Sequence, residues 1–138
     1  MKKLLIRNAN LVNEGSVRET DVLVEGERIT KIQSSIKVDN SVCQIDADGQ
    51  FLIPGMIDDQ DHFREPGLTH KADLATESTA AVAGGITSFM EMPNVDPQTT
   101  NKQALRNKYG LAKDRCRANY SFYMGATNTN IEDIKSIE

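Results

Sequence analysis

Two patterns of apolar and polar residues divide the chain. From Lys3 to Ile45 the runs are short, LLIRNANLV, SVRETDVLVEG and ERITKIQ, and are punctuated by Asn13-Glu14-Gly15 and Glu25-Gly26-Glu27. Such runs between turn residues predict strands joined by tight turns. Asp21-Val22-Leu23-Val24-Glu25 and Arg28-Ile29-Thr30-Lys31-Ile32 alternate residue by residue. That alternation predicts strands with one wet face in a small antiparallel meander.

After Gly49 the pattern changes. Phe51 to Ile57 is a nearly unbroken apolar run that ends in Asp58-Asp59-Gln60-Asp61-His62-Phe63-Arg64. A buried strand with a polar cluster at its C-terminal end is how parallel α/β sheets present chemistry. Asp73 to Ala83 reads as a helix closed by Gly84-Gly85, and Ile86 to Met92 as a second apolar strand. Pro93-Asn94-Val95-Asp96-Pro97 is its polar turn, after which Thr99 or Thr100 caps a helix through about Asp114. Asn119 to Met124 is a third strand, Gly125-Ala126-Thr127-Asn128 its loop, and Asn130-Ile131-Glu132-Asp133 the opening of a further helix. The expected organisation is therefore residues 1–50 as a β unit and residues 51–138 as three βα units. Regular βα alternation implies a parallel sheet covered by helices, open or closed into a barrel. A closed (β/α)₈ barrel takes about 250 residues, so three units make either a small open sheet or the start of something longer.

Composition narrows the chemistry. The net charge of −4 over 138 residues is spread without a Lys/Arg cluster, which argues against nucleic acid as a partner. Met1-Lys2-Lys3 resembles a signal-peptide start, but Leu4-Leu5-Ile6 breaks at Arg7-Asn8, and no other stretch is long and apolar enough to span a membrane. Cys43 and Cys116 are isolated, with no CxxC spacing. They are expected to be packing cysteines rather than a disulfide pair or thiolate ligands. A cytoplasmic protein acting on a small polar metabolite is the expectation.

Residues two apart on a strand face the same way, so two imidazoles at that spacing can grip one metal ion. Here the pair is Gln60 and His62, and an amide oxygen is a weak ligand beside an imidazole nitrogen. Asp61 between them is expected to point to the opposite face, toward the helix layer, where a dry carboxylate is costly. Asp58, two before Gln60, is placed to support that position. Glu77 reads as a helix-surface residue and His70 as an exposed loop histidine, while Glu91 is left without a role.

The segment Ile53-Pro54-Gly55-Met56-Ile57-Asp58-Asp59-Gln60-Asp61-His62-Phe63-Arg64-Glu65-Pro66-Gly67 resembles the signature that opens the dihydroorotase family of the amidohydrolase superfamily. Ala83-Gly84-Gly85-Ile86-Thr87, Met92-Pro93-Asn94 and Tyr120-Ser121-Phe122-Tyr123 running into Gly125-Ala126-Thr127-Asn128 follow in the family's order. The resemblance implies an α/β fold: the first three βα units of a (β/α)₈ TIM barrel, preceded by part of a small β-sandwich. It also implies reversible zinc-dependent hydrolysis of dihydroorotate to N-carbamoyl-L-aspartate in pyrimidine synthesis, with metal-bound hydroxide as the attacking group. One or two zinc ions would be held in part by His62 and Gln60, the first site weakened by Gln60. A subgroup of dihydroorotases resembles this chain in having glutamine there. Arg64 and Asn94 match the pair that grips the substrate carboxylate.

The family's carboxylated lysine, two further histidines and the aspartate that moves the proton match nothing before Glu138, so the chain alone is expected to be inactive. Rival readings are another cyclic amidase, such as an allantoinase or hydantoinase, and a non-catalytic dihydroorotase-like scaffold of aspartate transcarbamoylase. A homo-oligomer also fits the resemblance.

Overall fold

The computed structural model describes residues 2–137, which divide between Pro54 and Gly55 into two compact units. In the first, β1 (Lys3–Asn13) and β2 (Ser16–Glu25) form an antiparallel hairpin. Its turn residues Glu14 and Gly15 are both left-handed, φ 47° and 74°, as a two-residue hairpin turn requires. β3 (Arg28–Gln33) returns antiparallel on β2. The predicted all-antiparallel meander ends there, because β4 (Cys43–Asp46) and β5 (Phe51–Leu52) both pair parallel with β1. Tight turns dictate antiparallel neighbours, whereas β4 arrives by a longer connection that leaves its direction open.

The single wet face expected of β3 is also corrected. The strand is exposed along its whole length, Ile29 to 63%. The core of this unit is Leu5, Ala9, Leu11, Val22 and Ile36. Alternation placed Asp21 beside Val22 with no role, yet both are buried. A β-bulge between Ile6 and Ala9 explains it: the Asp21 carboxylate accepts from the N–H of Asn8 (3.0 Å) in the bulge and from Ile36 N–H (2.9 Å). Two backbone donors that the ladder leaves free are thereby satisfied.

The second unit holds β6 (Met56–Asp61), α1 (Leu74–Ala83), β7 (Ile86–Glu91), α2 (Lys102–Ala112), β8 (Asn119–Phe122) and α3 (Ile131–Lys135). The strands are parallel in the order β6-β7-β8. Asp73 caps α1 with a capping box to Thr76. Asn101, rather than Thr99 or Thr100, caps α2, its Oδ1 accepting from Ala104 N–H at 2.8 Å.

The largest departure from expectation lies at the apolar run from Phe51 to Ile57. It is not one buried strand: Phe51-Leu52 belongs to the first unit's sheet, and β6 starts only at Met56. Met56 and Ile57 are 56% and 71% exposed, while Asp61 at the strand's other end is 8% exposed. The core instead gathers Phe63, Leu74, Phe89, Ala112 and Phe122 between sheet and helices, with the Phe63 and Phe89 rings 4.5 Å apart. Full burial of Leu74 and Phe89 contributes roughly 2 kcal/mol each.

Candidate functional site

Three loops follow the C-terminal ends of β6, β7 and β8; those of β6 and β7 carry His62, Arg64, His70 and Asn94, whereas Asp58, Gln60 and Asp61 lie within β6, Glu91 ends β7 and Glu77 lies on α1. Gln60 lies within β6, exposed, its N–H donating to Asp58 Oδ1 at 3.1 Å. It lines a cavity of about 440 Å³ shared with Met92, Pro93, Tyr123 and Gly125. His62 is the first residue beyond the strand, also exposed, and its Nδ1 stands 2.9 Å from Asn94 Oδ1. An amide oxygen only accepts, so Nδ1 carries the proton and the Nε2 lone pair is left for a ligand.

Arg64 has a left-handed backbone, φ 74°. Its N–H donates to Glu91 Oε1 at 2.9 Å, while its guanidinium has no hydrogen bond or ion pair among the described residues. The loops of β6 and β7 are joined closely: Asp96 N–H donates to Pro66 O at 3.1 Å. Gly67 packs so tightly on the Asp96 carbonyl that a Cβ would overlap it, and its φ of 79° is left-handed. The loop of β8 is tied in by Asn130. Its amide donates to Thr100 O (2.7 Å) and Gly125 O (2.8 Å) and accepts from Thr127 N–H (2.7 Å). Asn130 stands at the opening of α3, where the sequence pattern puts it, yet it makes no side-chain cap.

Beneath these loops lies a buried charged cluster. Asp61 is nearly enclosed, and neither carboxylate oxygen has a hydrogen-bond partner among the described residues. Burial, then the charges of Glu91 and Asp58, push its pKa up to about 7, with Lys108 opposing. Glu91 and Lys108 are fully buried and ion-paired, Nζ to Oε2 3.1 Å. The Lys108 ammonium also donates to Met92 O at 3.0 Å and sits 5.1 Å from the Phe122 ring centroid. Burial raises the Glu91 pKa and lowers that of Lys108, and their mutual attraction opposes both shifts. In the sequence the mark of Lys108 is its place between Leu105 and Ala112 on the apolar stripe of α2, which the sequence pattern alone does not tie to a site.

A further buried carboxylate, Glu65, accepts from Leu74 N–H (3.0 Å) and pairs with Arg115 (2.8 Å), fixing the β6 loop to the start of α1. His70 is exposed and Glu77 half-buried. Cys116 packs beside the core with its thiol toward Leu74 O, 3.9 Å, whereas Cys43 is exposed at the start of β4 and is not a packing residue.

The donor set does not amount to a zinc site. A bulge between Asp58 and Asp61 interrupts the alternation that was to align Gln60 with His62. Among the described residues no three of His, Cys, Asp or Glu come together around one point. Catalytic zinc takes three protein ligands, and His62 with Gln60 supplies two at most. Among the described residues no helix is long and apolar enough to cross a membrane.

A family model described as dihydro-orotase-like matches residues 49–135. A dihydroorotase of Pediococcus pentosaceus is 48% identical over 95 residues, 69% of this chain and 22% of that protein. One of Methanosarcina acetivorans is 36% identical over 137 residues, 99% of this chain and 29% of that protein. The chain thus spans less than a third of the length of these two relatives. Among solved structures, the L-hydantoinase (dihydropyrimidinase) of Arthrobacter aurescens superposes with a TM-score of 0.91 at 30% identity, over 98% of this chain and 30% of that one. A D-hydantoinase from Thermus sp. gives a TM-score of 0.79 at 26% identity, over 96% and 30%. The fold is the α/β amidohydrolase type.

Proposed function

The chain belongs to the dihydro-orotase-like family, and on that premise we propose that its βα units are the first three of a (β/α)₈ barrel whose site opens a cyclic amide bearing a carboxylate. The substrate is dihydroorotate and the product N-carbamoyl-L-aspartate. The observation that carries this reading is the placing of Arg64 and Asn94 on adjoining strand ends, with the Arg64 fork free. A guanidinium can grip a carboxylate with two parallel hydrogen bonds. Asn94 completes the grip: its Oδ1 is taken by His62, which leaves its NH₂ donors for the same carboxylate.

Zinc, the metal the family implies, is not accommodated by Gln60 and His62 alone. The chemistry at the ring amide needs groups other than Arg64, Asn94, Gln60 and His62. Their work is to bind and orient.

The hydantoinase reading is the second one, favoured by the close superposition on the Arthrobacter aurescens enzyme. Hydantoin lacks the carboxylate, so substrate preference separates the two. The measurement is hydrolysis by the protein with whatever its gene carries beyond residue 138. A preference for dihydroorotate over hydantoin and dihydrouracil of about 100-fold or more in kcat/KM is expected, because a site built for a polar group rejects analogues that lack it. A preference for the carboxylate-free rings would overturn the proposal.

A further inference from the structure

We infer that Glu91 is a positioning residue for Arg64, with Lys108 as its buried counter-charge. The inference rests on the reading that Arg64 holds the substrate carboxylate.

Glu91 ends β7 with its side chain wholly out of water, an unfavourable place for a carboxylate unless each oxygen has a use. Its two oxygens serve different elements. Oε2 faces the Lys108 ammonium on α2, while Oε1 reaches out of the sheet to the Arg64 N–H in the β6 loop. Arg64 is the residue whose backbone most needs such a hold, since a φ of 74° is disfavoured for any side chain with a Cβ. Strained backbone persists where its surroundings over-determine it, and such positions cluster where geometry matters to function. Here the backbone is gripped and the guanidinium is left free, the arrangement a substrate-binding arginine needs.

Lys108 extends the same hold to the other loop. Its ammonium bonds Met92 O, two residues before Asn94, and Met92 N–H donates to Asp61 O, just before His62. One buried pair thus reaches the roots of both segments that carry the carboxylate grip. A purely structural role is the competing account, but replacing a buried ion pair by apolar groups is often neutral for stability. It also gives no reason for Oε1 to serve a loop amide.

The test compares two neutral double variants of the full-length protein, Glu91→Gln with Lys108→Met and Glu91→Leu with Lys108→Met. Both remove the buried charges together; only glutamine keeps an acceptor for Arg64 N–H. With leucine, KM for dihydroorotate should rise about tenfold, the scale of one lost hydrogen bond, with kcat within about twofold, as expected for lost uniform binding. With glutamine, KM should return to within about twofold of the parent. Equal KM values in the two pairs overturn the inference. Should the parent not hydrolyse dihydroorotate, the functional reading fails by itself. Hydrogen exchange at the Arg64 amide then decides: about tenfold faster exchange with leucine than with glutamine supports the positioning role, and equal exchange sinks it.

Discussion

The Nδ1 of His62 lies 2.9 Å from the Oδ1 of Asn94, joining the residue read as a metal ligand to one read as a substrate contact. One hydrogen bond fixes the imidazole tautomer and orients the amide, so neither residue acts alone. Replacing Asn94 with leucine should therefore lower kcat/KM for dihydroorotate by about 10- to 100-fold, the range for losing a ligand's supporting partner. Steady-state kinetics check it, and a loss below twofold would separate the two roles.

Arg64 combines a strained backbone with an unpaired side chain. Arg64→Gly should raise stability by up to about 1 kcal/mol, since glycine accepts positive φ, while abolishing dihydroorotate binding. Arg64→Lys should retain a charge without the fork and bind about tenfold or more weakly. Urea unfolding and calorimetric titration with dihydroorotate read the two effects. Destabilisation by glycine would contradict the strain.

Asp61 sets a pH dependence of unusual sign for a carboxylate. Its pKa is raised to about 7 from an ordinary 3.8, so the folded state binds the proton more tightly than the unfolded one. Its unfavourable contribution is absent below pH 3.8, grows as pH rises through that value, and is complete above about 7. Asp61→Asn should stabilise the protein by about 2 to 4 kcal/mol at pH 8 and by much less at pH 4. Urea midpoints at the two pH values test this. An equal gain at both would mean that the carboxylate charge is not what costs stability.

Gly67 keeps the β6 and β7 loops in contact. Gly67→Ala would place a Cβ into the Asp96 carbonyl at a positive φ, so the loops must part. A loss of about 2 kcal/mol or more is expected, together with a higher KM, since Arg64 and Asn94 stand on the two loops. Thermal melts and kinetics on one sample report both. Unchanged KM in a destabilised variant would show that the contact serves folding alone.

The exposed apolar residues of β6, Met56 and Ile57, line a sheet edge, and open apolar edges recruit further strands. The 138-residue chain on its own should associate as its concentration rises, and Ile57→Lys should reduce that association. Light scattering across a dilution series measures it. A concentration-independent monomer with a cooperative melt would contradict the expectation.

The change of pattern near residue 50 was legible without a structure, because strand and helix periods are written locally in the order of apolar and polar residues. So were the capped helix after Asp73 and the polar turns that carry His62, Arg64 and Asn94. The division of Phe51 to Ile57 between two sheets was not. An apolar run specifies burial or extension but not which distant strand it pairs with, and β5 was claimed by β1. Alternation could not give the surroundings of Asp61, since a bulge between Asp58 and Asp61 breaks the period, and its neighbours come from elsewhere: Glu91 from the next strand and Lys108 from the helix after it. Only tertiary packing brings these three charges together, because their interaction depends on distances that no local period encodes.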